Sequence, residues 1–401
     1  MSVPALRFKD DDGREFPEWE LNELKELAVI NPKTKVLPDE FIYIDLESVE
    51  QGFLLKEDWI NLENAPSRAQ RFISKKDILF QMVRPYQRNN LFFDKIGYYV
   101  ASTGYAQIRT HQVPKFLYYC LHLDNFVTEV MNRCTGTSYP AINSEALSSI
   151  EISKPCSIDE QTKIANFLTA VDEKITHLTQ KCELLAQYKK GVMQQIFNQE
   201  LRFKDDDGQD FPEWKENLIG DIFNDLKGSG LSKDKVSSSG KYKSILYGHL
   251  FTKYTEVIKK IDSWTDFNEG LPSKTGDILM PSSTTTTGID LAKASALKED
   301  RVRLGGDIIV LRAKNAVNSD YFAYYLTHAA NREIAEVTQG ITIIHLYFKE
   351  LKKIEVNVPS MKEQTKIAKF LTAIDDKLTH TQVQLAAAKQ YKQGLLQQMF
   401  V

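Results

Sequence analysis

The chain is written twice. Leu6 to Trp19 reads LRFKDDDGREFPEW and Leu201 to Trp214 reads LRFKDDDGQDFPEW, twelve identities in fourteen positions at an offset of 195. Glu160 to His177 reads EQTKIANFLTAVDEKITH and Glu363 to His380 reads EQTKIAKFLTAIDDKLTH, fourteen identities in eighteen at an offset of 203. The match resumes in QYKKGVMQQIF (187–197) and QYKQGLLQQMF (390–400). Whatever unit one copy forms, the other forms too. Between the matched blocks lie residues 20–159 and 215–362, which are 140 and 148 residues long; the difference of eight accounts for the change in offset. Fainter echoes run through them in order: Asp77-Ile78-Leu79 with Asp277-Ile278-Leu279, Ile108-Arg109 with Leu311-Arg312, Tyr118-Tyr119 with Tyr324-Tyr325, Gly136 with Gly340. Two near-identical frames therefore hold two divergent inserts of one fold.

Each frame ends in a long helical pattern. Residues 158–197 contain no proline and one glycine, Gly191. Their apolar positions Ile164, Leu168, Val171, Ile175, Leu178, Cys182 and Leu185 fall at the 4-3 spacing of a coiled-coil seam. Ile367, Leu371, Ile374, Leu378, Thr381, Leu385 and Ala388 repeat it. Pro155 and Pro359, followed by acidic residues, mark the starts. Each helix has roughly 37 residues and spans about 55 Å. One reading packs each helix on its own domain; the shared seam and the unusual length favour pairing of the two. Polar residues interrupt the seam at Thr381, Lys189 and Lys392. An antiparallel pair returns the chain to its start, with Val401 near Met1, a pseudo-two-fold axis across the helices and one insert at each end of a rod.

A 401-residue chain with 42% apolar and 26% charged residues is folded and has room for two to four domains. No run is long and apolar enough to span a membrane, and MSVPALRFKDDDG is not a secretory signal. Cys120, Cys134, Cys156 and Cys182 form no CxxC pair, which suits a reducing cytoplasm. The net charge of −3 requires any nucleic-acid face to be a local feature. Two unlike heads at fixed separation suit two short sites at fixed spacing on duplex DNA, with the helices as the ruler.

The duplicated FPEW block before each insert, the Asp-Ile-Leu strand and the P…EQTKIAxFL start of each long helix together resemble the specificity subunits of type I restriction–modification systems, over essentially the whole chain. The resemblance implies an α/β (α+β) architecture: two similar target recognition domains joined by two long antiparallel helices forming a coiled coil. Residues 1–157 and 201–360 are the expected recognition domains, and 158–200 and 361–401 the spacer helices. It further implies a bipartite, asymmetric DNA site and docking of two modification (methyltransferase) subunits, with restriction subunits as a further expected partner. S-adenosylmethionine, ATP and Mg2+ belong to those partners and none to this chain.

Candidate contacts follow from residue chemistry. After the strand Asp77–Phe80 come Gln81, Arg84, Tyr86, Gln87, Arg88, Asn89 and Asn90, dense in side chains that pair bidentately with guanine or adenine. Thr103-Gly104-Tyr105 is a second candidate, and Arg133 with Thr135-Gly136-Thr137-Ser138-Tyr139 a third. The second insert carries Ser282, Ser283, Thr284, Thr285, Thr286, Thr287 and Gly288 at the place of the arginine-rich loop, without a cation. Lys241, Tyr242 and Lys243 are the expected source of charge, and Thr338-Gln339-Gly340-Ile341-Thr342 beside His345 forms the later loop. A plain solvated loop is the alternative for each. Asp10–Asp12 and Asp205–Asp207 lack the later glutamate of an EF-hand loop and read as turn acids. No phosphate-binding loop, amino-methyltransferase motif, HExxH or GxSxG is present, so no catalytic or metal residue is assigned. The remaining alternative is a two-headed coiled-coil adaptor that binds proteins.

Overall fold

The computed structural model describes residues 4–34 and 36–401. They form two compact units, Met1–Thr179 with Val383–Val401, and Gln180–Gln382. The long helices run Ile158–Phe197 and Met361–Met399, 40 and 39 residues, about 60 Å each. Each unit therefore holds the first half of one helix and the last half of the other.

In the first unit, strand β1 (Trp19–Glu23) pairs antiparallel with β2 (Glu151–Pro155), joining the two ends of the insert. Two four-stranded sheets lie between. One has the order Trp59–Asn61, Glu40–Ile44, Tyr99–Ser102, Ala69–Phe72; the other has Ala28–Ile30, Tyr105–Thr110, Ile78–Gln81, Leu91–Phe92. Ile78–Gln81 is buried on both faces, as its apolar run requires. Helices α1 (Pro114–Cys120) and α2 (Asp124–Asn132) pack Phe116, Leu117, Phe126 and Val130 into the core that also holds Ile164, Leu168, Leu395 and Met399.

The second unit repeats this plan with differences. Lys215–Leu218 pairs with Glu355–Val358. A five-stranded sheet has the order Phe223–Lys227, Ile308–Ala313, Ile278–Pro281, Ser295–Leu297, Val257–Ile258, and a four-stranded one Trp264–Thr265, Tyr242–Ile245, Arg303–Leu304, Leu271–Pro272. Helices α3 (Ser319–His328) and α4 (Asn331–Glu336) complete the core with Val192, Ile196, Ile367 and Leu371. The fold is mixed helix and sheet, with antiparallel pairs predominating.

The faint echoes between the inserts have a physical basis. Asp77 and Asp277, each 1% exposed, start equivalent central strands, and each is held bidentately by an arginine of the neighbouring strand, Arg109 or Arg312, at 2.7–2.8 Å. The tyrosine echo is displaced by one residue from the sequence alignment. Tyr119 donates its hydroxyl to Asp172 at 2.9 Å and Tyr324 donates to Asp375, so Tyr119 matches Tyr324.

The matched blocks are conspicuous because within each unit they clip to one another. Arg7 grips the fully buried Glu160 at 2.7–2.8 Å, and Arg202 grips Glu363 at 3.1–3.3 Å. Lys163 reaches Asp11, and Lys366 reaches Asp206. Phe8 meets Phe167 edge-on, as Phe203 meets Phe370. The aspartate runs make turns: Asp10 Oδ1 accepts the amides of Asp12 and Arg14 beside Gly13 at φ +81°. Gln161 and Gln364 donate to the carbonyls of Pro155 and Pro359 and accept the amides of Val113 and Asn318.

Along the helices, Ile164, Leu168, Leu178, Ile367, Leu371 and Ile374 are buried, while Val171, Ile175, Leu378 and Leu385 are half-buried. The polar seam positions are satisfied. Thr381 is 1% exposed and donates back to the Lys377 carbonyl at 2.7 Å. In the first unit Lys392 pairs with Asp172 at 2.6 Å over the Tyr119 ring. In the second, Lys189 pairs with Asp375 at 2.7 Å and Glu256 at 3.3 Å over the Tyr324 ring. In each unit the helix halves run antiparallel: Asp172 meets Lys392, while Ile164 and Met399 share the core nearer the insert. The expected meeting of chain ends falls partly on Met1, outside the described residues; Leu6 N–H donates to the Gln398 carbonyl at 2.9 Å.

Two titratable groups beside these contacts set an acid limit. His122 lies against Tyr118, with Nδ1 2.7 Å from the Tyr118 carbonyl. Burial, aided by Lys392 and Arg88 and opposed by that hydrogen bond, lowers its pKa from 6.5 to about 4. For Glu256, burial pushes the carboxyl up, but the His328 hydrogen bond and Lys189 outweigh it and hold the group at about 2 rather than 4.5. Both folded pKa values are depressed, so both contributions are present at neutral pH and lost on acidification. His122 acts from about pH 6.5 downward and Glu256 from about pH 4.5 downward. Thermal melting of the full chain from pH 7 to pH 3 should fall in two stages, His122→Gln flattening the first and Glu256→Gln the second. A melting temperature unchanged down to pH 4 contradicts this.

Candidate nucleic-acid interface

Each insert carries a closed five-residue loop at the same place. In the first, Thr135 and Ala141 exchange backbone hydrogen bonds at 2.9 and 3.0 Å around Gly136–Pro140, and Val83 bridges to Ala141. In the second, Gln339 and His345 exchange them at 2.9 and 2.7 Å around Gly340–Ile344, and Ser283–Thr284 pairs with Ile344–His345. Both loops open on a glycine in the left-handed region, Gly136 at φ +88° and Gly340 at φ +121°. A Cβ on Gly340 would stand 2.0 Å from the Ile343 carbonyl oxygen, so only glycine fits. Thr137, Ser138 and Tyr139 are exposed, as are Gln339, Ile341 and Thr342.

The arginine-rich loop packs against the first of these. Arg84 and Arg88, both left-handed at φ +54° and +56°, bracket a tight turn over Pro85–Gln87. Arg84 donates its amide to the Pro140 carbonyl at 2.8 Å and lays its guanidinium 4.2 Å from the centre of the Tyr139 ring. Tyr86 stands half exposed and Gln87 is exposed. This places Arg84, Tyr86, Gln87, Thr137, Ser138 and Tyr139 on one accessible surface.

Several expected contacts are not on it. Tyr105 is 0% exposed, and burial drives its hydroxyl pKa well up; it belongs to the core. Asn90 is 1% exposed and accepts the Gln81 amide at 2.8 Å. Asn89 accepts the Gln51 amide and donates its own to Gln81, which bonds Gln87 in turn. Arg88 points away from Tyr139 and pairs with Asp124 at 2.6 Å and the His122 carbonyl at 3.0 Å. Arg133 braces Ser149 at 2.8 Å, and Thr103 donates its amide to the Arg68 carbonyl. Gln81, Asn89, Asn90 and Arg88 hold the arginine loop's shape, because a chain that turns twice through left-handed arginines has to satisfy its polar groups locally.

In the second insert the hydroxyl loop is similarly committed. Ser282 donates its amide to Asp307 and accepts that of Leu346. Thr286 and Thr287 both donate their hydroxyls to Asp290, which also accepts the Thr287 amide; these bonds hold its carboxyl below the usual range. In this structure the hydroxyl donors of Thr286 and Thr287 are therefore turned to Asp290. Thr287-Gly288-Ile289-Asp290 has the capping-box spacing that announces this acceptor in the sequence. Thr285 is exposed, and Thr284 shares a hydrogen bond with Thr286. Lys243 lies on a strand of the other sheet, and Lys241 just before that strand. Lys241 covers Tyr242, while Lys243 covers Trp264 and pairs with Glu299 at 2.8 Å. The structure does not bring these lysines into the loop.

The family described as "Type I restriction modification DNA specificity domain" matches residues 17–186 and 212–388. The type I restriction enzyme MjaIX specificity subunit of Methanocaldococcus jannaschii is 22% identical, over 97% of this chain and 94% of its own length. The MjaVIII specificity subunit of that organism is 21% identical, over 92% of this chain and 89% of its own. The crystal structure of the type I restriction–modification system S subunit from M. genitalium aligns with a TM-score of 0.64 at 19% identity, covering 100% of this chain and 99% of that one. The last is a likeness of fold.

Proposed function

This chain belongs to the type I restriction modification DNA specificity family, and from that premise we propose that each insert reads one half of a bipartite DNA site through its five-residue loop and the loop beside it. The chain has the sequence-specificity role, which is non-catalytic; the adaptor reading finds no support in the family match. One observation carries the proposal: the same closed loop occupies the same place in both inserts but bears different side chains, Arg84 stacked on Tyr139 in one and an aliphatic tip in the other. Unlike half-sites need such a difference. Residues 1–157 and 201–360 act as the recognition domains, with 158–200 and 361–401 as spacers. Two modification subunits dock on the chain, restriction subunits join where present, and S-adenosylmethionine, ATP and Mg2+ are bound by those partners in the cytoplasm.

Within this reading Arg84 contacts a guanine. Its guanidinium is aligned by Tyr139, so little ordering is left to lose on binding. Arg84→Ala in the assembled complex should weaken binding by about 1–3 kcal/mol, roughly 5- to 150-fold, and relax preference at one base pair. Arg88→Ala should leave that preference intact. Binding by the complex should fall steeply with salt, as counterion release demands. A salt-insensitive complex, or loss spread evenly over all positions in Arg84→Ala, counts against the proposal.

A further inference from the structure

Ile341 is 99% exposed, at the tip of the second insert's loop, with Ile343 beside it 50% exposed. A single exposed apolar residue is ordinary on a flexible surface. Here the backbone under it is fixed on every side. The paired hydrogen bonds of Gln339 and His345 close the loop, the Leu346 amide ties it to Ser282, and Gly340 takes a conformation that a side chain would block. The structure therefore holds an aliphatic side chain outward with nothing of its own to cover it.

The surroundings narrow what it could meet. The hydroxyls of Thr286 and Thr287 are donated to Asp290, and the exposed polar side chains on the loop itself are Gln339 and Thr342, which flank the tip. In the corresponding place of the first insert stand Arg84 and Tyr139, a cation and a ring. The second tip thus offers no guanidinium for a phosphate or a guanine, and its most prominent group has no polar atom. Within the major groove one base feature is apolar, the 5-methyl of thymine.

We propose that Ile341 reads a thymine methyl in the half-site bound by the second insert. The proposal rests on the DNA-recognition reading above and adds a specific base feature to it. Gly340 acts as the positioning residue that holds Ile341 rigid, so contact is made at small entropic cost.

The test uses the full chain assembled with its modification subunits and a duplex carrying its own mapped site. Discrimination of that site from a shuffled duplex is measured first; its failure removes the DNA reading itself. Each thymine of the half-site is then replaced singly by deoxyuridine, which lacks only the methyl. Wild type should lose about fourfold in affinity at one position, the scale of one buried carbon. Ile341→Ala should bind the thymine and deoxyuridine duplexes equally at that position while keeping the other half-site's preference. Gly340→Ala, in which the loop must shift, should lose the same discrimination. Indifference of wild type to every deoxyuridine, a half-site without an A·T pair, or an unchanged deoxyuridine penalty in Ile341→Ala overturns the proposal. So does 2-aminopurine fluorescence that reports unstacking in wild type and not in Ile341→Ala, because Ile341 is then a wedge between bases.

Discussion

Exchanging residues 20–159 for the same segment of a relative will change one half of the methylated site and leave the other half as it was. Among the described residues, Ile42, Ile78, Leu79 and Phe116 pack in clusters of the first unit, and Ile245, Ile278, Leu279 and Phe322 in clusters of the second. The cut also preserves the clip, because Arg7, Asp11, Glu160 and Lys163 lie outside it. An incoming segment has to supply a tyrosine for Asp172, as Tyr119 does, and an aromatic side chain for the Phe116 place against Trp19 and Phe400. With those supplied, the expected result is a new element on one side that replaces the old one. A change in both halves contradicts modular reading.

The second large effect is on stability. Glu160 is 0% exposed, held by Arg7 and by the Trp19 indole N–H at 3.4 Å. Arg7, at 12% side-chain exposure, would be left without its partner by Glu160→Ala. Removing one member of a buried pair costs about 3–5 kcal/mol. For a unit of this size that is roughly a 6–20 °C fall in melting temperature. Replacing both at once, Arg7→Met with Glu160→Leu, should recover much of the loss, because no charge is then stranded. A Glu160→Ala chain that melts within 2–3 °C of wild type contradicts this account of the matched blocks.

The clip also explains what could be read directly. LRFKDDDG and EQTKIAxFL repeat so closely because Arg7 and Glu160, Lys163 and Asp11, Phe8 and Phe167 touch each other, and each pair constrains both members. The long helices were legible for a similar reason: Ile164, Leu168, Ile367 and Leu371 recur at seam spacing and are buried. Lys189 and Lys392 looked like defects in that seam. They are ion-paired positions whose partners, Glu256, Asp375 and Asp172, lie on elements remote in sequence. Residue type alone could not separate Arg84 from Arg88, whose side chains are chemically identical. The left-handed turn sends one onto Tyr139 and the other back to Asp124. Asn90 in the Gln-Asn-Arg run and Tyr105 after Thr103-Gly104 are both buried, and residue type alone gives no sign of which way either side chain faces.

Mapping of methylated bases in a host genome, with and without this gene, shows whether the chain sets where the DNA is modified. Loss of one bipartite motif on deletion, restored by the intact gene, is the predicted result, and the motif itself gives both half-sites. A methylation map unchanged in cells that express the chain and its modification partner would contradict it.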